Sequence, residues 1–538
     1  MKEVDRNRSE ATKPLPAGKG FGDGVIRESG CPAAIELLDT TLRDGEQTAG
    51  VSFNADEKLA IARLLLEELK VNRIEVGSAL VSSGEQAACT RICQWASGAG
   101  RLDQIEILGF VDGGRSIDWI RGVGGRVMNL LAKGSLRHVE GQLGKTPRAH
   151  RDDILRDIDR AVAQGMAVNL YLEDWSDGMA ASPDYVHFMM DALKEAPLRR
   201  IMLPDTLGVL NSATTAEYCR QMVERYPGIH FDFHAHNDYG MAAANAMEAV
   251  TAGVHGLHTT VNGLGERAGN LPVSSAVGLL NDHLHVENSL DESKLMHVCR
   301  YVETISGVRI PANLPLVGEF VFTQTSGVHA DGDKKGGLYQ NALQPERFGR
   351  HRHYALGKTS GKANIMKNLE TLGITLDAAQ MKLVTERVVE LGDKKESLSP
   401  EDLPFIIADI LKSDSGAARE QRIRIINYSL QLARGMRPVA NMRIDIQGTE
   451  YEESSAGDGQ YDAFMKALWK IYDRLGRKHP RLTDYVVKIP PGGKTDALVE
   501  TTISWDMDGR AFKTRGIDSD QTEAAIKATV KMLNIIEV

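Results

Sequence analysis

The strongest constraint on this chain's fold is a rhythm that begins at Ile35. Apolar runs of strand length recur, each followed by a turn or polar cluster and then by a stretch of helical periodicity. The runs are Ile35–Asp39, Arg73–Gly77, Ile105–Phe110, Val127–Leu131, Val168–Leu172, Arg200–Leu203, His230–His234 and Gly256–Val261. Helix-like spacing fills the intervals, for example over Asp56–Leu69, Ser116–Arg121, His150–Gln164, Asp184–Lys194, Thr214–Arg225 and Ala242–Ala252. Eight such alternations in roughly 250 residues predict an α/β fold, a TIM (β/α)8 barrel, ahead of a doubly wound open sheet.

Barrels of this kind carry their chemistry at the C-terminal ends of the strands. Those ends offer Arg43 and Asp44, Leu131 and Lys133, Tyr171 and Glu173, Asp205 and Thr206, His234 and His236, and Glu266, Arg267 and Asn270. In the run Phe231–Asp238, strand alternation sends Asp232, His234 and His236 to one face and Phe231 and Phe233 to the other. Converging neutral imidazoles suit zinc and other first-row divalent metals. Asp44, His234, His236 and Asn270 would supply two imidazoles and two oxygens to Zn, Mn or Mg, leaving room for a bidentate substrate. A 2-oxo acid chelates through its carboxylate and keto oxygens, so the ion would act as a Lewis acid on the keto carbonyl. Arg43 can then stabilise that oxygen as it becomes anionic. Glu173 is a candidate carboxylate base, and His329 a candidate for proton exchange.

At 538 residues the chain exceeds a single core, since one core stops growing near ~250–300 residues. Residues 1–33 read as a flexible leader and 34–308 as the catalytic barrel. Residues 309–420 read as a connector with helices over Lys362–Leu372 and Met381–Leu391, and 421–538 as an α+β regulatory domain. In that last part, strand alternation followed by a helix occurs twice. The stretches Gly457–Ala463 and Ile517–Ala524 place Asp and small residues where each helix needs a cap. A net charge of -9 argues against nucleic acid or an anionic membrane as partner. No apolar run approaches the ~18 residues of a spanning helix, and no signal-peptide core is present. Five cysteines without a CxxC pair fit a reducing cytoplasm.

Three ordered stretches, Asp39–Gln47 (DTTLRDGEQ), His234–Asp238 (HAHND) and Asn262–Asn270 (NGLGERAGN), together resemble the 2-isopropylmalate, homocitrate and citramalate synthases. These are acetyl-CoA-dependent Claisen-condensing enzymes, and the likeness runs from Ile35 to the C-terminus. Related acyl-CoA lyases place a catalytic cysteine in the loop that corresponds to the Gly-rich stretch, where this chain has none. Within the family, Tyr171–Ser176, Leu203–Gly208, Val328–Lys335 and Ile489–Asp496 look most like the citramalate-forming branch that carries a leucine-synthase-type regulatory domain.

The resemblance implies that Asp44, His234 and His236 bind metal, with Asn270 on or near it, and that Arg43, Tyr171 and Thr206 contact the 2-oxo acid. It implies Glu173 as the base for acetyl-CoA or that base's partner, with His329 and Tyr339 approaching from the connector of the neighbouring subunit of a homodimer. Leu108, Leu131 and Tyr171 are expected to line the pocket for the keto acid's side chain, where three bulky groups accommodate a methyl better than an isopropyl. The expected reaction is therefore condensation of acetyl-CoA with pyruvate to (R)-citramalate on the route to isoleucine. The alternatives are 2-isopropylmalate synthesis from 2-oxoisovalerate, and a non-catalytic amino-acid sensor. Intact Asp44, His234, His236 and Glu173 speak against the sensor. The C-terminal domain is expected to bind isoleucine through Tyr461, Asp462, Leu482, Tyr485, Ile489 and Gln521, with Ser519 standing where the family pattern has proline.

Overall fold

The computed structural model describes residues 31–325, 341–372, 374–393, 423–488 and 499–537, together with Leu403, Ile406, Ile407 and Ile410. These residues fall into two compact units, one of 31–323 with 341–352, the other of 324–325 with 353 onward.

The first unit is a closed barrel of eight parallel strands in chain order: β1 (Glu36–Asp39), β2 (Arg73–Ser78), β3 (Ile105–Phe110), β4 (Val127–Lys133), β5 (Ala167–Glu173), β6 (Arg200–Asp205), β7 (Phe231–Ala235) and β8 (Gly256–Thr259). Strand β1 pairs with both β2 and β8, which closes the sheet and rules out the open arrangement. The outer faces carry Ile74, Val76, Ile105, Ile107, Met128, Leu130, Val168, Leu170, Leu203, Phe231 and Phe233, all buried in the main apolar core. Covered on both faces, the strands read as near-continuous apolar runs, the pattern that starts the rhythm in the sequence.

The barrel interior is unusually polar. Near the N-terminal ends of the strands Arg73 donates to Glu106 at 2.8 Å and to Asp232 at 2.6 Å, and approaches Glu36 at 3.3 Å. One layer further, Asn129 donates to Glu75 at 2.8 Å and Asn169 to Asn129 at 2.8 Å. Above these lies a small separate apolar cluster of Leu38, Leu108, Tyr171 and Met202, with Leu131 against it.

Helix boundaries follow local chemistry. The helix expected from His150 begins at Pro147, because Thr146 accepts the Ala149 N–H and proline fits the first turn. The helix Leu295–Ser306 ends at Gly307, which adopts the left-handed conformation at φ 71°. One long helix, Ser83–Gly98, has no counterpart among the predicted segments. Its buried face is Ala88, Cys89, Ile92, Cys93 and Ala96, too small and weakly apolar to produce a helical stripe. Lys58 is fully buried and ties the β1 loop to its neighbours: its ammonium donates to the Leu42 carbonyl at 2.9 Å, to Glu46 at 2.7 Å and to Glu85 at 2.6 Å.

In the second unit two strand-strand-strand-helix repeats are present: Ile423–Gln431, Val439–Ile446 and Thr449–Ala456 with the helix Gln460–Arg474, then Arg481–Lys488, Val499–Met507 and Arg510–Asp518 with Gln521–Ile536. Asp520 caps the second helix as expected, accepting from the N–H groups of Thr522 at 2.8 Å and Glu523 at 2.9 Å. The first differs. Gly459 is its N-cap, and Asp462 turns back to accept the Asp458 N–H at 2.8 Å. The helices Lys362–Leu372 and Ala378–Asp393 have their own apolar cluster around Leu356, Ile365, Leu369, Val384 and Val388. Among the described residues no helix is long and apolar enough to cross a membrane.

Candidate metal centre and active site

Strand β7 delivers His234 and His236 to the C-terminal mouth of the barrel, and the turn after β1 delivers Arg43 and Asp44 beside them. Asp44 Oδ2 lies 3.2 Å from His234 Nε2 and 3.8 Å from His236 Nε2. One ligand atom from each of the three residues lies within 4.8 Å of the others, and all three side chains are buried. Asn270 is joined to His236 by a backbone bridge, and its amide nitrogen donates to the Leu264 carbonyl at 3.1 Å. Asp44 Oδ1, the Nδ1 atoms of both histidines and Asn270 Oδ1 are all buried without a hydrogen-bond partner among the described residues. Buried polar atoms are ordinarily paired, so a carboxylate and two imidazoles gathered within 4.8 Å, with unpaired polar atoms on each of them and on Asn270, fit a divalent cation.

Protonation states agree with that fit. Burial pushes the Asp44 carboxyl up, but the Arg43 guanidinium and the His234 imidazole outweigh it and hold Asp44 well below the usual carboxylate range. Burial lowers His234 against the pull of Asp44. His236 is pushed down to about 4 by burial, with His234 adding to the effect. A carboxylate and two neutral imidazoles are the forms that ligate metals.

Arg43 is held between two carboxylates, Glu75 at 2.6 Å and Asp44 at 3.1 Å, and its guanidinium carbon lies 5.8 Å from the centre of the Tyr171 ring. Glu75 is absent from the residues singled out in the sequence, yet it organises this corner. It accepts from Thr40 Oγ1 at 2.7 Å as well as from Arg43 and Asn129, and these three outweigh burial to keep it ionised. Its signal is the alternation Arg73-Ile74-Glu75-Val76: in a strand buried on both faces, two charged residues on the inner side need partners there.

Thr206 follows β6, and its hydroxyl oxygen accepts the Asp174 N–H at 2.9 Å, which leaves the hydroxyl hydrogen available to a ligand. Its carbonyl accepts from Arg267 at 2.7 Å. Leu108 and Tyr171 are buried in the small interior cluster, with Leu131 packed against it. Glu173 ends β5 in register with Lys133 of β4, one layer above the paired Leu131 and Tyr171, and forms an ion pair with the Lys133 ammonium. Lys133 is thus a second site neighbour that sequence reasoning leaves without a role. His329 and Tyr339 lie outside the described residues.

Of the candidate effector contacts, Tyr461 and Tyr485 pack with ring centres 5.4 Å apart, and Tyr485 hydrogen-bonds Gln521. The Tyr461 hydroxyl also meets Thr529 at 2.7 Å. Asp462 is an exposed partner of Lys466 at 2.6 Å, and Leu482 is exposed on its strand. Ile489 lies outside the described residues.

Asp39, at the end of β1, gives a pH prediction. Burial pushes its carboxyl up to about 6, against hydrogen bonds from the Thr41 N–H and the Thr259 hydroxyl. A raised carboxyl means that the folded protein binds this proton more tightly than the unfolded chain does. Its stabilising contribution is complete below pH ~4 and is lost as pH rises towards 6, amounting to about 3 kcal/mol at most. Asp39→Asn removes that titration. Its stability relative to the parent is expected to rise by about 2 kcal/mol between pH 4.5 and 7.5 in paired urea melts, and a gap that stays constant with pH contradicts this.

The geometry gives a closed barrel with a candidate carboxylate-imidazole metal site beside a clamped arginine. Comparison with known proteins adds the lineage. An HMGL-like model matches residues 34–302, a homocitrate synthase post-HMGL domain-like model residues 316–396, and a LeuA allosteric (dimerisation) domain model residues 397–537. A probable 2-isopropylmalate synthase of Methanopyrus kandleri is 33% identical over 507 residues, covering 94% of this chain and 98% of the relative. A putative (R)-citramalate synthase of Archaeoglobus fulgidus is 31% identical over 93% of this chain and 99% of its own. The (R)-citramalate synthase of Methanocaldococcus jannaschii is 30% identical over the same shares. Among solved structures, an HMG-CoA lyase from Bacillus subtilis covers 53% of this chain and 97% of its own at 18% identity, with a TM-score of 0.47. The chain belongs to the 2-isopropylmalate, homocitrate and citramalate synthase family of acyl-transferring enzymes.

Proposed function

We propose that the chain condenses acetyl-CoA with pyruvate to give (R)-citramalate and CoA. The observation that carries this choice of keto acid is the cluster of Leu38, Leu108, Tyr171 and Met202 with Leu131, bulky inward side chains of β1, β3, β5, β6 and β4 just below the strand ends and turns that carry Asp44, Glu173 and Thr206. A pocket walled by these groups suits a methyl substituent.

In this reading Asp44, His234, His236 and Asn270 would hold a divalent ion, and that ion would supply Lewis acidity toward the keto carbonyl. Arg43, fixed by Glu75, faces the keto oxygen and stabilises the alkoxide. The Thr206 hydroxyl donates to the keto acid's carboxylate. Glu173 removes a proton from the acetyl methyl of acetyl-CoA, so its pairing with Lys133 loosens as the thioester enters. The carbanion electron pair then forms the new C–C bond at the keto carbon, and the C=O electrons move onto oxygen, which takes up a proton. Water cleaves the thioester, releasing CoA and the free dicarboxylic hydroxy acid. We assign His329 and Tyr339 to the same site from the partner subunit of a homodimer, in keeping with the dimerisation-domain match at residues 397–537. Isoleucine is the proposed effector of that domain, read through Tyr461, Tyr485 and Gln521.

The test is CoA release with pyruvate and with 2-oxoisovalerate, in the presence of Mn or Mg, with and without isoleucine or leucine. Each surplus methylene in an apolar pocket costs ~1–3 kcal/mol, so kcat/KM for pyruvate is expected to lead by at least about tenfold. A lead for 2-oxoisovalerate would instead place the chain with its isopropylmalate-forming relatives.

A further inference from the structure

We infer that His258 determines which 2-oxo acid side chain the barrel accepts, by fixing the Tyr171 ring that walls the pocket. The inference rests on the reading that this pocket holds the keto acid's substituent. His258 lies on the inner face of β8, fully buried, and belongs to none of the functional groups assigned so far. Its Nε2 lies 3.2 Å from Asp232 Oδ2 and its Nδ1 3.1 Å from the Tyr171 hydroxyl. Asp232 takes a hydrogen bond from Arg73 at 2.6 Å, an ion pair that engages it as a carboxylate. Facing a carboxylate, Nε2 carries the ring proton. In the neutral ring Nδ1 is then the acceptor, and the phenol proton of Tyr171 points at it.

Two consequences follow for the pocket. First, the phenol spends its one hydrogen on His258, away from the ligand, so Tyr171 presents ring surface and no donor. Polar recognition of the keto acid falls to Arg43 and Thr206. Second, the ring is fixed at its far end. The other polar neighbours of the hydroxyl, Arg43 Nη2 and Glu75 Oε2, are each at 3.4 Å, longer than the contact to His258. The rings of Tyr171 and His258 meet edge to face with centres 5.5 Å apart, and His258 in turn packs at 5.4 Å against His234. A hydrogen bond at the hydroxyl fixes the first side-chain torsion of Tyr171, and the edge-to-face contact with His258 holds the plane of its ring. The wall made with Leu108 and Leu131 is therefore rigid, and a rigid wall excludes an oversized group by clash where a mobile one would yield. The line from Arg73 through Asp232 and His258 to Tyr171 connects the polar interior of the barrel to substrate size.

The experiment compares kcat/KM for pyruvate and 2-oxoisovalerate, by CoA release with acetyl-CoA, in the full-length parent, H258L, H258N, Y171F and the H258L/Y171F double variant. The readout is the ratio of the two values, which a general loss of activity leaves unmoved. H258L and Y171F are each expected to shift the ratio at least tenfold towards the larger acid. The double variant is expected to shift it no further, because both substitutions remove one hydrogen bond. H258N presents its amide oxygen where Nδ1 stood and is expected to keep the ratio within about threefold of the parent. Y171F removes a hydroxyl without opening a large cavity, so it reads the anchor even where H258L folds poorly. A parental ratio in Y171F, equal losses on both acids in H258L, or multiplying shifts in the double variant would each overturn the role of His258. A parent that favours 2-oxoisovalerate overturns the pyruvate assignment, while the ratio in the variants is still expected to move towards the bulkier substrate.

Discussion

Asp44→Ala is expected to lower kcat/KM for condensation by at least about a thousandfold, roughly 4 kcal/mol of transition-state stabilisation, while the protein stays folded. Asp44 is the one carboxylate of the centre, 3.2 Å from His234 and 3.8 Å from His236, and it also pairs with Arg43. Its removal takes away an anionic ligand and releases one side of the arginine. The fold tolerates the change because Arg43 keeps Glu75 at 2.6 Å and the substitution leaves no buried carboxylate behind. CoA-release kinetics at saturating Mn, with circular dichroism as the folding control, check the result. A folded variant that retains more than about a tenth of the parent's kcat/KM contradicts the role given to Asp44.

The largest effect on stability is expected at the other end of the barrel. Arg73→Met leaves Glu106 and Asp232 buried without the guanidinium that pairs with both, at 2.8 and 2.6 Å. Both carboxylates are fully buried and Arg73 is 4% exposed, so water cannot take over its role. Breaking a buried charge group by removing one partner costs about 3–5 kcal/mol. The expected result is a fall of that size in urea or guanidinium unfolding. Combining Arg73→Met with Glu106→Gln and Asp232→Asn, which removes the stranded charges, is expected to recover much of it. A loss below about 1 kcal/mol for the single variant would mean that the cluster contributes little to folding.

Much of this architecture can be read from the chain because parallel strands covered on both faces are written as short apolar runs, and eight of them at regular spacing admit few closures. His234 and His236 can be read for a related reason: a two-residue period in a strand fixes which side chains converge. Glu75 and His258 are harder: the alternation around Glu75 calls for inner partners without naming them, and a lone histidine between Leu257 and Thr259 carries no pairing signal, so the closed barrel supplies their neighbours. The helix Ser83–Gly98 escapes because alanine and cysteine make up most of its buried face. Thr449–Ala456 is a strand rich in exposed Glu and Ser, with Ser455 its only buried residue, so it lacks the apolar alternation that marks a strand. Lys133 and Glu173 show a further limit. Each stands at a strand end in the sequence, but only the register of β4 on β5 makes them an ion pair.

The account depends most on Asp44, His234 and His236 gathering one divalent ion. Electron paramagnetic resonance of the protein titrated with Mn, with resolution of nitrogen couplings, tests this most directly. The predicted result is one tightly bound Mn per chain with two imidazole nitrogens coupled to it, one of which disappears in His236→Ala. Mn that binds without nitrogen coupling, or a spectrum unchanged by that substitution, would contradict the account.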